Sequence, residues 1–525
     1  VGKRPIVHAF ALLAAALATA ASAAPRVELD SGAIEGKADH DLNVFLGIPY
    51  AKPPVGELRW RAPEPLPHWT AVRPTTSFSA SCYQTEGKPF GPFTREFVEV
   101  GRRSEDCLYL NVWAPAKPAK ALPVLVFIHG GGFGSGSTAV PVYTGAGLAR
   151  RGVIVVTINY RLGAFGFLAH PALTAESPLK SSGNYGILDM IAALRWVKAN
   201  IAQFGGDPQN VTISGQSAGA AAVSDLLVSP QAKGLFARTI IQSGPGLGVN
   251  MLTLDQAEQT GLDVARKLNA QSIAQLRAVA SDAIVAATAS PPPSKNAVPR
   301  ILMAPNLDGK IVAMNPESAD GRAVSDVPVM AGFNKDEAFI FGVPHVTPDA
   351  FVEYVKTRYG NFTDRFLALY PHATTEEASR SMDEMGRDRY MAQLILWAER
   401  HVAAEQQPLY LYQFDHSYPG LDAKRFGAFH TAEVPYVLGA LDIAGIPFTD
   451  TDHQVSRQME DRWVAFMTGG DPNVPDTPHW TSWREGPGKI MHLGDNPGIS
   501  WPVSDKTRLD VFRAYVAAGG QLSLF

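Results

Sequence analysis

Along the chain, apolar and polar positions alternate between two kinds of segment. Short runs rich in Val, Ile, Leu and Phe end in glycine or a polar turn: Pro123 to Gly130, Val153 to Tyr160, Val211 to Gly215, Thr239 to Ser243 and Val327 to Phe333. Apolar runs of this length without polar alternation predict strands buried on both faces. Between the second and third runs, Ile187, Ile191, Leu194, Trp196, Val197 and Ile201 recur at helical spacing within Tyr185 to Phe204. That predicts a helix lying on those strands, and the alternation as a whole predicts an α/β fold with a large, mostly parallel sheet covered on both faces. The stiff stretch Ser290-Pro291-Pro292-Pro293-Ser294 could divide two domains. It is read as a surface loop, because candidate chemical groups on either side of it must meet across one sheet, and residues 24–525 are expected to form a single domain.

The first residues depart from this pattern. Lys3 and Arg4 precede an apolar run from Ile6 to Ala20, and Ala21-Ser22-Ala23 follows as a small-residue cleavage site. Residues 1–23 therefore read as a signal peptide cleaved near Ala23, which predicts a secreted or periplasmic protein. The run is shorter than the roughly 20 residues a membrane span needs. The two cysteines, Cys82 and Cys107, both fall in the exported part, where an oxidising compartment favours a disulfide; two buried thiols are the alternative, and neither has a second Cys or His at metal-ligand spacing. With 46 Lys plus Arg against 50 Asp plus Glu among 525 residues, the net charge is −4. So small an imbalance provides no field for nucleic acid or anionic membranes.

Chemistry enters at Gly215-Gln216-Ser217-Ala218-Gly219, between the predicted strand from Val211 and the helix-compatible Ala220 to Val228. A serine on a sharp strand-to-helix turn, flanked by residues too small to collide, presents its hydroxyl to open space as a nucleophile. Attack on a carbonyl builds negative charge on oxygen, so preorganised N–H donors are needed. His129-Gly130-Gly131-Gly132-Phe133 follows a predicted strand, and its glycines let the backbone approach a ligand closely. A phosphate loop would end in Gly-Lys-Ser/Thr, which is absent here. Serine also needs a histidine base held by a carboxylate, in the order Ser, acid, His. Downstream, Glu337 and His430 satisfy that order, but the chain has 13 histidines, and Asp336 and Glu433 are rivals for the carboxylate role.

Taken together, these segments resemble the type-B carboxylesterases, the family that includes the cholinesterases. The resemblance rests on Phe45 to Ala51 with Pro53-Pro54-Val55-Gly56, on Ser104 to Asn111, and on Phe204 to Pro208. It also rests on the serine motif, Asn334-Lys335-Asp336-Glu337 and Phe429-His430, and so runs from about residue 27 to the end. It implies an α/β-hydrolase fold with an inserted helical region lining an active-site gorge. It also implies Ser217 as nucleophile, Glu337 as acid, His430 as base, and Gly131, Gly132 and Ala218 as oxyanion donors. Ser243 would support the carboxylate, and Cys82 would pair with Cys107. The implied activity is hydrolysis of a small-molecule carboxylic ester by water through an acyl-enzyme, with no cofactor, metal, nucleic acid or membrane span.

Three departures from the family pattern stand out. Gln216 stands where most relatives have Glu, Thr431 follows the base where a smaller residue is commoner, and no Trp lies between Cys82 and Cys107. Phe97, ten residues before Cys107, is a weaker cation-binding face than an indole, which disfavours choline esters. The same triad could also serve amides, thioesters, lactones or the bulky polyester toxins cleaved by some bacterial relatives. Non-catalytic adhesion proteins share the fold but have lost triad members that this chain keeps.

Overall fold

The computed structural model describes Gly2 and residues 24–117, 121–244, 251–289, 303–316, 323–338, 345–420, 422–443 and 445–522. Apart from Gly2, the expected signal peptide and the triple-proline loop lie outside the described residues.

Eleven strands form one sheet: β1 (Lys37–Asp39), β2 (Leu42–Pro49), β3 (Tyr109–Pro115), β4 (Leu122–Ile128), β5 (Ile154–Ile158), β6 (Gly206–Gln216), β7 (Arg238–Gln242), β8 (Val329–Asn334), β9 (Leu409–Phe414), β10 (Ile490–Leu493) and β11 (Gly498–Ser500). Their spatial order is β11-β10-β9-β8-β7-β6-β4-β5-β3-β2-β1. From β10 through β5 every neighbour is parallel, and the antiparallel strands lie at the two edges.

Side chains alternate across the sheet as the pleat requires. Val124, Val126 and Ile128 of β4 enter one core with Ile187, Leu194 and Val197 of helix α1 (Tyr185–Asn200). Leu125 and Phe127 enter the opposite core with Met459, Trp463 and Phe466 of a later helix, Asp450–Gly469. The strands are buried on both faces, which explains their unbroken apolar runs. Between β8 and β9 the chain inserts helices Pro348–Tyr359, Thr363–Leu367 and Thr375–Ala404.

Local boundaries differ from the sequence expectation for identifiable reasons. The expected helix to Phe204 tightens at Ile201–Phe204 into a 3₁₀ turn and is closed by Gly205 at φ 87°. The strand expected from Val211 begins at Gly206, where Gly206 pairs with Leu122 before a register irregularity; Asp207 and Pro208 hide that extension from the hydrophobic pattern. Interior strands β2, β3 and β9 carry polar or aromatic residues that interrupt their apolar runs, so the hydrophobic pattern does not mark them. Asn111 of β3, for instance, is buried and bonded to Gly47 and Thr157.

The order of strands also places the site. β4 has β5 on one side and β6 on the other, so the chain leaves β4 toward β5 and leaves β6 in the opposite sense toward β7. Ligands of parallel sheets bind outside the carboxyl ends of strands at such a switch. The glycine run follows β4, and Ser217 follows β6.

Candidate active site

Ser217 sits between β6 and helix α2 (Ala218–Leu227) with φ 58° and ψ −125°. A non-glycine residue adopts that region only under constraint. The constraint is visible: Ser217 N–H donates to the carbonyl of Gln242 on β7 at 2.9 Å. The flanking glycines are obligatory, since a Cβ on Gly215 would lie 2.2 Å from the carbonyl oxygen of Gly219, and one on Gly219 would lie 2.1 Å from that of Ile128.

The glycine run after β4 turns back on itself, with the N–H groups of Gly134 and Ser135 donating to the Gly131 carbonyl at 3.1 and 2.9 Å. Gly131 and Gly132 adopt φ 112° and 61°. Ala218 is the first residue of its helix, so its N–H has no intrahelical partner. Among the described residues, no hydrogen bond draws on the N–H of Gly131, Gly132 or Ala218. His129 supports this loop from below. Its ring stacks on Tyr160 at 4.6 Å, its carbonyl accepts from the Tyr160 hydroxyl at 2.9 Å, and burial pushes its pKa down to about 4.

Glu337 and His430 come from loops after β8 and β9 that a bridge between Asp336 and Phe429 holds together. Asp336 N–H donates to the Ala428 carbonyl at 3.0 Å, and the Ala428 N–H donates back to the Asp336 carboxylate at 2.9 Å. The neighbours Glu337 and His430 thereby meet, with Oε2 of the buried carboxylate 2.5 Å from Nδ1 of the imidazole. The other oxygen, Oε1, accepts from the Ser243 hydroxyl at 2.5 Å and from the Asn334 N–H at 2.7 Å. Burial alone would lower the pKa of His430. The charge and hydrogen bond of Glu337, with the charge of Glu433 behind it, outweigh burial and raise it above the ordinary imidazole value.

The two rival acids are engaged elsewhere. Asp336 pairs with Arg387 at 2.7 Å. Glu433 accepts from Asn334 Nδ2 at 2.5 Å and Gln242 Nε2 at 3.2 Å, and burial followed by repulsion from Glu337 pushes its pKa up to about 7. Asn334 Nδ2 also donates to the Phe429 carbonyl at 2.7 Å, which fastens the histidine loop.

The remaining imidazole nitrogen, Nε2, faces the side chain of Gln216 at 3.3 Å. With Nδ1–H donated to Glu337, Nε2 is an acceptor and the Gln216 amide is its donor. No hydrogen bond among the described residues joins Ser217 Oγ to His430, although both line one cavity of about 340 Å³ with Gly131, Gly132 and Gln216. Catalytic hydrogen bonds of this kind often tighten only in the complex with substrate.

Several residues of this cavity were missed by the sequence reading. Its wall draws on Gln84, Phe90, Phe93, Val98 and Val100 from the loop between Cys82 and Cys107, which are joined by a disulfide. The signal was the cluster of apolar residues between the two cysteines. Phe97 also lines this cavity, while packing on Phe93 and Phe429.

A mostly parallel sheet carrying a serine elbow after one strand, and an acid and a histidine after later ones, defines an α/β-hydrolase fold. The chain belongs to the carboxylesterase family, whose model matches residues 23–510. It is 38% identical to fumonisin B1 esterase of Sphingopyxis macrogoltabida over 480 residues, covering 89% of this chain and 86% of that protein. With para-nitrobenzyl esterase of Bacillus subtilis (strain 168) it shares 36% identity over 473 residues, 86% of this chain and 91% of the relative. Acetylcholinesterase of Bungarus fasciatus is 30% identical over 515 residues, 91% and 84% of the two chains. A solved para-nitrobenzyl esterase superposes with a TM-score of 0.77 at 32% identity, covering 93% of this chain and 99% of that one. The protein is accordingly a carboxylesterase that hydrolyses carboxylic esters.

Proposed function

We propose that hydrolysis proceeds by two-step acyl transfer on Ser217. Its Oγ attacks the ester carbonyl while Nε2 of His430 takes the hydroxyl proton, and Glu337 holds the imidazole by Nδ1 and balances its charge. The carbonyl oxygen becomes an oxyanion held by the N–H groups of Gly131, Gly132 and Ala218, each worth about 3 to 4 kcal/mol of transition-state stabilisation. His430 returns the proton to the departing alcohol. Water, deprotonated by the same imidazole, then releases the acid and restores the serine. Ser243 keeps Glu337 oriented. Before the first step Gln216 must yield Nε2 to the serine.

The observation that carries this reading is the 2.5 Å contact between Glu337 and Nδ1 of His430 in a cavity that also contains Ser217 and the glycine run. Ser217→Ala should lower turnover of p-nitrophenyl acetate by about 10⁶ with an unchanged circular dichroism spectrum. A serine-directed organophosphate should label the parent protein at one site and leave the variant unlabelled. Activity surviving in that variant, or failure of the parent to react, would refute the assignment of Ser217 as nucleophile.

Residues 24–525 are proposed as one domain, exported from the cytoplasm. The Cys82–Cys107 disulfide supports export, because such bonds persist in oxidising compartments. Among the described residues no helix is long and apolar enough to cross a membrane. The name of the 38% identical relative makes fumonisin B1 a second ester to assay after small ones.

A further inference from the structure

Beside the catalytic cavity lies a second, larger one of about 920 Å³. It opens between the part of the disulfide loop near Phe90 and Pro92, residues 418–420 and 422–429, and Ile446. Phe90 lines both cavities. The partition between them is a layer of aromatic rings that meet from the two sides. Phe93 and Phe97 face the catalytic cavity, and Tyr418 and Phe429 face the other. Across that layer the rings touch edge to face, Phe93 with Phe429 at 5.6 Å and Phe97 with Tyr418 at 5.4 Å.

Size makes the adjacency consequential. A cavity of about 340 Å³ is at the small end of the roughly 300 to 1,000 Å³ found for ligand sites. It can enclose a short ester, but a long one whose scissile bond lies beside Ser217 must leave it. Phe90 is 50% exposed yet rests against Phe93 at 5.0 Å, so an apolar ring stands in water at the edge common to both cavities. Charge further restricts the occupant. The two charged residues of the outer cavity are both about half exposed and face each other, Arg425 to Asp422 at 3.7 Å, and the guanidinium also lies 4.9 Å from the Phe426 ring. Their charges cancel locally, and most of the remaining lining is aromatic, proline or aliphatic.

We propose that the outer cavity is an extended substrate subsite. It takes the distal, uncharged apolar limb of a long ester, which passes over Phe90 while the ester bond remains at Ser217. This rests on the assignment of the inner cavity as the reaction site. The limb can belong to the acid or to the alcohol, and its recognition is the same: an aliphatic or aryl chain against an aromatic wall.

The test fills the outer cavity from two separate elements, with Ala423→Trp and Ile446→Trp, neither of which belongs to the catalytic group. Three probes are compared: p-nitrophenyl acetate, p-nitrophenyl dodecanoate for a long acid, and dodecyl acetate for a long alcohol. Both variants should keep kcat/KM for p-nitrophenyl acetate and lose about tenfold or more, mainly through KM, on at least one dodecyl probe. The probe affected identifies the limb. Unchanged turnover of both dodecyl esters in both variants would overturn the proposal. So would equal losses on short and long esters in both, which would make the surface structural. Failure of the inner site itself is recognised separately, by p-nitrophenyl acetate hydrolysis that survives Ser217→Ala.

Discussion

Two residues beside the base distinguish this chain. Thr431, immediately after His430, is β-branched and has φ 81°, a region that costs an L-residue roughly 1 to 2 kcal/mol. It also lines the catalytic cavity. Thr431→Gly removes that strain at some cost in chain entropy, and should raise the unfolding free energy in urea by about 1 kcal/mol. The second residue, Gln216, places a neutral amide 3.3 Å from His430 Nε2. The base works only when neutral, and its pKa is already raised, so activity should climb as pH rises through that value. Gln216→Glu adds an anion beside the same nitrogen and should move the acid limb of the kcat/KM profile to higher pH; an unmoved limb would show that the two groups are not coupled. For stability the sign is reversed. A histidine whose folded pKa is raised contributes fully below its ordinary value and loses that contribution as pH rises through the folded one.

The decisive element is the loop closed by the disulfide between Cys82 and Cys107. It brings Phe90, Phe93 and Phe97 to the cavity. It also brings Gln84, whose amide donates to the carbonyls of Cys82 and Gly136 and accepts from the Gly136 N–H. The disulfide thus braces the far end of the turn that carries the expected oxyanion donors. Replacing both cysteines by alanine should lower the urea unfolding free energy by about 3 to 4 kcal/mol. The same variant should lower kcat on p-nitrophenyl acetate, because the turn loses part of its support. An unchanged kcat would confine the bond to a role in stability.

Across the whole molecule, adjacent parallel strands β6 to β9 deliver Ser217, Ser243, Glu337 and His430 to one edge of the sheet. The elbow and the glycine run could be read from the sequence because each is local: a small residue beside a sharp turn, or a run of apolar side chains before it. Local patterns also exposed β4 to β8, since strands buried on both faces leave long apolar runs. The choice among Asp336, Glu337 and Glu433 was not local. Spacing left it open, and the resemblance alone favoured Glu337. In the structure the Asp336–Phe429 bridge turns Asp336 toward Arg387 and puts Glu337 beside His430, while Glu433 is held by Asn334 and Gln242. The partner of Nε2, the aromatic wall and the outer cavity likewise join segments hundreds of positions apart. Hydrophobic periodicity and turn chemistry are properties of neighbours in the chain and survive in a linear reading. Which carboxylate meets which imidazole, and which rings enclose a space, depends on long-range packing that exists only once the sheet has closed.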